Sequence, residues 1–101
     1  MKHTKENIFE LAKKVLKDFK GNRYKESDIE SIFFSKEKEL YRGKNEGKMH
    51  PCWTIEVKAP FENTDFLTIS DETGSPLYYQ NFNMIIFEIN IDENGFYSKK
   101  E

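Results

Sequence analysis

The chain has little of what would let covalent staples or reactive groups define it. Its 101 residues include one cysteine (Cys52), two histidines (His3 and His50), three prolines and five glycines. A single cysteine excludes an intramolecular disulfide and fits a reducing compartment. Long apolar runs are also missing. The opening MKHTKENIFELAKKVLKDFKG spreads charge throughout, without the about 7–15 apolar residues of a signal peptide, and no stretch approaches a membrane span. The expectation is a cytoplasmic protein with no membrane association. Internal repeats, a phosphate-cradling glycine loop, an HExxH pair and a nucleophile elbow are all lacking.

Apolar residues are scarce but large. The hydrophobic set is 37% of the chain against 34% charged, a balance that leans towards disorder unless the apolar residues are bulky and patterned. Here they are both: nine Phe, five Tyr and one Trp each offer a ring that buries about 150–250 Å2, enough for one compact core. A single domain, 1–101, is expected.

Ile8, Leu11, Ala12, Val15, Leu16 and Phe19 follow the spacing of one helical stripe, with Thr4 placed to cap its start and Gly21 to end it. This predicts a helix from about residue 5 to about residue 20. Ser27–Tyr41 is ambiguous: Ser27 and Glu30 have capping-box spacing, whereas Ile29, Ile32, Phe33 and Phe34 are strand formers. The charged Lys36–Glu39 run offers no continuing stripe, which favours a strand. Residues 43–48 read as an exposed loop. Beyond Pro51, Trp53, Ile55 and Val57 alternate with Thr54, Glu56 and Lys58, predicting a strand with one buried and one wet face. PFENTD, DETGS and Asn94–Gly95 are turn chemistry around strands at 66–70 and 76–80, a longest strand at 85–91, and a short Phe96–Tyr97 segment. The predicted fold is α+β, an amino-terminal amphipathic helix packed on a four- to five-stranded antiparallel meander sheet.

Charge is partitioned. Residues 1–25 carry eight Lys/Arg against three acids, while the remainder carries eight against fifteen, so the helical segment is basic and the rest acidic. An acidic sheet and a whole-chain pI near 5.8 argue against a nucleic-acid partner. His50 and Cys52, two apart on a strand, have the spacing of a metal pair or an activated thiol, but His3 is the only further histidine and neither set is complete. The acidic pairs at 37/39, 71/72 and 92/93 read as solvated turn residues. No catalytic residues, no metal and no cofactor are expected, and the protein is read as a non-enzyme.

The segment WTIEVKAPFENTDFLTISDETGSPLYYQ resembles PepSY-like domains and the related small immunity proteins of bacterial toxin systems, with Trp53 opening a strand and Asp71 and Gly74 shaping the reversal after the next. The resemblance runs from about Ile8 to Gln80, leaving out residues 43–47 and the tail from Phe82. It implies binding: an immunity protein that neutralises a cognate toxin, expected to be basic, by occluding it. On that reading an acidic sheet surface makes the contact, with Glu56, Asp71, Glu72 and Glu88 as the acids and Tyr78 and Tyr79 as anchors, although alternation sends one of the two tyrosines to the core. A ligand- or peptide-binding module using a concavity between helix and sheet is the alternative, and a subunit of a larger assembly the third.

Overall fold

The computed structural model describes residues 1–100. Helix α1 spans Lys5–Lys20. Thr4 Oγ1 accepts the Asn7 N–H at 3.1 Å while the Asn7 side chain accepts the Thr4 N–H at 3.3 Å, a reciprocal cap that satisfies donors the first turn leaves open. Gly21, at φ 60°, ends the helix with its N–H on the Lys17 carbonyl. The predicted stripe faces inward: Ile8, Ala12, Val15 and Leu16 are buried, and Leu11 and Phe19 pack beside them.

A short 3-10 turn, Glu26–Asp28, leads into six strands: β1 (Ile29–Glu39), β2 (Met49–Ala59), β3 (Asn63–Ser70), β4 (Pro76–Gln80), β5 (Ile86–Ile91) and β6 (Tyr97–Lys100). Every neighbour pair is antiparallel and spatial order equals chain order, so the sheet is the expected meander. The ambiguous 27–41 stretch resolves to strand after the turn at its start. Two expectations need correction. The sheet has six strands, because the tail beyond Asn94–Gly95 forms a full hairpin with β5. Nor is the strand near 85–91 the longest, since β5 has six residues against eleven each in β1 and β2.

The tail is pinned by a pair of polar residues on α1. The Asp18 carboxylate accepts from Lys14 Nζ at 2.5 Å and from the Tyr97 N–H at 3.0 Å, and Lys14 also reaches the Gly95 carbonyl at 3.2 Å. Burial pushes the Asp18 carboxyl up, but these donors outweigh it and leave its pKa below the ordinary value.

Register sorts the side chains. Ile32, Ile55, Leu67, Tyr79 and Phe87 form one cross-sheet row, and Phe34, Trp53 and Ile69 another, both beneath α1. With the helix stripe they make the main core, in which each fully buried aliphatic side chain contributes about 1.5–3 kcal/mol. The alternate residues point to the opposite face, which has no covering helix.

Candidate functional site

The uncovered face is not uniformly wet. Thr54, Thr68 and Tyr78 form its central row, and all three are buried although no helix covers them. At one end the residue 40–48 loop folds back, held by Gly47 N–H to the Leu40 carbonyl at 2.8 Å, and lays Leu40 over Cys52 and Tyr78 as a second small core with Leu77 and Ile86. Beside that cluster lies a groove of about 380 Å3 floored by Thr54 and Thr68 and walled by Phe33, Tyr41, Phe66, Met84 and Ile86. Phe33 and Tyr41 are nearly half exposed and Met84 is 74% exposed. Met84 occupies the left-handed region at φ 67°, uncommon for a long side chain. It is held there by the loop: its N–H bonds the Asn81 carbonyl, Asn81 Oδ1 accepts from Asn83 and Ile85, and Gln80 Nε2 lies 3.2 Å from its sulfur. Local strain maintained by such a network presents an apolar side chain to solvent.

Glu56, Tyr78 and Glu88 share this face. Glu56 accepts a hydrogen bond from Ser31, and Glu88 stands opposite Tyr78 on one side and Lys100 on the other. Tyr78, however, is buried rather than exposed as an anchor, its hydroxyl accepting the Tyr41 N–H at 3.4 Å. Tyr79 lies on the helix side, buried, and donates to Asp65 Oδ2 at 2.6 Å. Burial, this bond and the Asp65 charge push its phenol far above the ordinary value. Alternation therefore sends the two tyrosines to opposite faces, but both are covered, because the uncovered face has its own small core. Glu56 and Glu88 share this face with Lys38 and Lys100, so the charges around the groove are mixed in sign.

Asp71 is a structural hub, only 3% exposed. Its carboxylate accepts the Lys2 N–H at 2.7 Å, the His3 N–H at 3.1 Å and the Trp53 indole N–H at 2.9 Å, and its carbonyl bonds His3 Nδ1 at 2.8 Å. Burial alone would raise its pKa, yet the three N–H donors and the amino-terminal charge hold it below the ordinary carboxylate value. Gly74, at φ 74°, completes the clasp, since a Cβ there would come within 2.7 Å of His3 Nε2. Trp53, Asp71 and Gly74 thus meet in one network that tethers the segment before α1 to the β3–β4 reversal.

His50 does not pair with Cys52. Its Nε2 lies 2.8 Å from Ser70 Oγ and its Nδ1 3.2 Å from Glu72 Oε1, an order that matches a Ser–His–Glu relay. Ser70 is buried, and its oxygen accepts the N–H groups of Glu72 and Thr73 at 3.1 and 3.3 Å, so the hydroxyl is enclosed by the reversal it joins. The trio clamps the reversal. Cys52 is fully buried, its thiol pushed up to about 11 chiefly by burial, and it therefore stays protonated and unreactive at neutral pH. Among the described residues no group of three or more His, Cys, Asp and Glu side chains is placed to hold a metal ion, and no helix is long and apolar enough to cross a membrane.

No family model, curated protein or solved structure matches this chain. The functional reading therefore rests on the geometry. What the sequence reading missed is the groove: Phe33, Phe66, Met84 and Ile86 lie on three different strands and a loop, and no local spacing relates them. The one signal was Phe33–Phe34, two adjacent aromatics that alternation sends to opposite faces.

Proposed function

We propose that this protein is a non-catalytic binding module of the immunity type, which neutralises a toxic effector protein by seating it on the uncovered face of the sheet. The observation that carries the reading is the groove between Phe33, Tyr41, Phe66, Met84 and Ile86, bordered by Lys38 on one side. Aromatic and methionine side chains at the centre with balanced charges around them are the composition of a protein–protein interface, in which a few apolar anchors supply most of the energy. An effector that inserts an apolar side chain between Phe33 and Met84 is the partner this chemistry fits. Glu56, Glu88, Lys38 and Lys100 then set orientation by pairwise complementarity, in place of long-range attraction to a wholly acidic surface.

Co-expression with any toxin found encoded beside this gene tests the reading. Phe33→Asp with Met84→Asp is expected to abolish both protection and co-purification while the melting temperature stays close to the parent's. Lys13→Glu with Lys17→Glu, on the outer side of α1, is expected to leave both intact. Full protection by the groove variant, or the lack of any effector that the protein neutralises, would refute the proposal.

A further inference from the structure

A second concavity, separate from the groove, opens where the carboxyl end of α1 meets the sheet. It measures about 550 Å3 and draws its wall from six segments: Phe19 and Lys20 of α1, Arg23, Lys25 and Asp28 of the connection to β1, Lys58 at the end of β2, Asp65 and Tyr79 of β3 and β4, and Lys99 of β6. Four cations, Lys20, Arg23, Lys25 and Lys99, therefore line one cavity against two carboxylates, and both carboxylates are already engaged; Lys58, alternating with the buried Val57 and Ala59, contributes to the wall from the strand end while its side chain belongs to the other face. Asp28 Oδ2 accepts from Lys20 Nζ at 3.2 Å and the Lys25 N–H at 3.1 Å, while Asp65 takes the Tyr79 hydroxyl at 2.6 Å and the Phe82 N–H at 2.9 Å. Helix-dipole compensation accounts for Lys20 on the last turn. It does not account for Lys99, which arrives from a strand remote in sequence.

Lys99 is also held in place. Its Nζ stands 5.5, 5.0 and 5.3 Å from the ring centroids of Phe19, Tyr79 and Phe87, so three aromatic faces position one ammonium at the rim of the cavity. Among the ion pairs of the described residues, Arg23, Lys25, Lys58 and Lys99 have no carboxylate partner. A pocket of this size suits a small organic molecule, and an excess of cations that includes an arginine fork suits a doubly charged, multi-acceptor anion.

We propose that this cavity is a binding site for a small soluble phosphate monoester, with Arg23, Lys25 and Lys99 contacting the phosphate and the Phe19 and Tyr79 side lining the organic part. The site is independent of the outer groove, so it stands or falls apart from the toxin-binding reading.

The test is an NMR titration of the full-length protein at fixed ionic strength with inorganic phosphate, glycerol 3-phosphate and adenosine monophosphate. Saturable shifts confined to residues 19–28, 58–65 and 99 are expected, with a dissociation constant of about 1 mM or tighter for at least one ester. Lys99→Gln should weaken binding by about tenfold or more. Arg23→Gln with Lys25→Gln removes exposed side chains only, and should weaken it in the same direction should the Lys99 variant disturb packing. Phe33→Asp, in the groove, should leave it unchanged. The proposal is overturned by shifts that fail to saturate or that sodium chloride reproduces, by unchanged affinity in both charge variants, by tighter binding of a glutamate-rich peptide, or by binding only to phosphatidic acid vesicles and to none of the soluble esters.

Discussion

The two faces of the sheet are built from the same strands and differ by one residue in phase. On the helix side, Trp53, Ile55 and Val57 are sealed beneath α1, and their neighbours on β1, β3 and β4 extend the same apolar rows. On the other side, Thr54 is buried by its strand neighbours, whereas Phe33 and Met84 remain open to solvent. Burial therefore means different things on the two faces. Beneath the helix it comes from a second layer; on the open face it comes from long side chains and a folded-back loop, which leave a groove between them. Beneath the helix the apolar rows are already covered, so the side chains the sheet leaves open lie on the other face.

Substitutions on the two faces can break that comparison. Trp53→Ala should be the most damaging, costing about 3–5 kcal/mol in denaturant unfolding, because it empties a ring's volume under α1 and strands the Asp71 carboxylate. A loss below about 1 kcal/mol would mean that the helix side is less tightly packed than its exposures indicate. Asp71→Asn should cost about 1–3 kcal/mol at neutral pH by weakening three hydrogen bonds to one carboxylate. Because the folded-state pKa of Asp71 lies below its ordinary 3.8, this stabilisation is fully present above that value and is lost as pH falls through the lower folded value. The parent and variant stability curves should therefore converge in acid, and a constant gap down to pH 2 would rule out the carboxylate as the source.

Open-face substitutions should be milder for stability and decisive for binding. Phe33→Asp should change stability by about 1 kcal/mol or less, since the ring is already nearly half exposed, yet remove the complex with the proposed effector. A large stability loss there would show that the outer wall is part of the core. Smallest of all, Glu88→Lys should change stability by about 0.5 kcal/mol or less and lower the association rate only modestly, measured by stopped flow at low salt. A collapse of the association rate with Glu88→Lys would restore the acidic-surface reading over the apolar-groove one.

The legible parts of the sequence were those governed by local rules. Thr4, the 3.6-residue stripe and Gly21 define α1 because a helix completes its hydrogen bonds within itself and signals its ends with caps. The alternation around Trp53 and the turn at 71–75 were legible for a similar reason, since a strand's side chains alternate and a reversal needs particular residues. The tail was under-read because β6 has little apolar alternation of its own. It becomes a strand by pairing with β5 and by the Tyr97 N–H bonding Asp18, seventy-nine residues away. For the candidate site, strand register places Glu56 and Glu88 on one face of the sheet. Asp71 looked like a solvated turn acid, because nothing nearby reveals that the chain start and an indole fill its oxygens.

Taken alone, the sequence determined the α+β class, the extent of the helix and the sequential antiparallel order, because caps, periodicity and short connections act within a few residues. Tertiary structure decided which side chains of the open face meet, that both tyrosines are covered, that His50 joins Ser70 and Glu72 rather than Cys52, and that Lys99 joins the cations at the end of α1 in lining one cavity. Those outcomes depend on strand register and on contacts between segments far apart in the chain, where proximity is set by the packed fold and leaves no spacing to read.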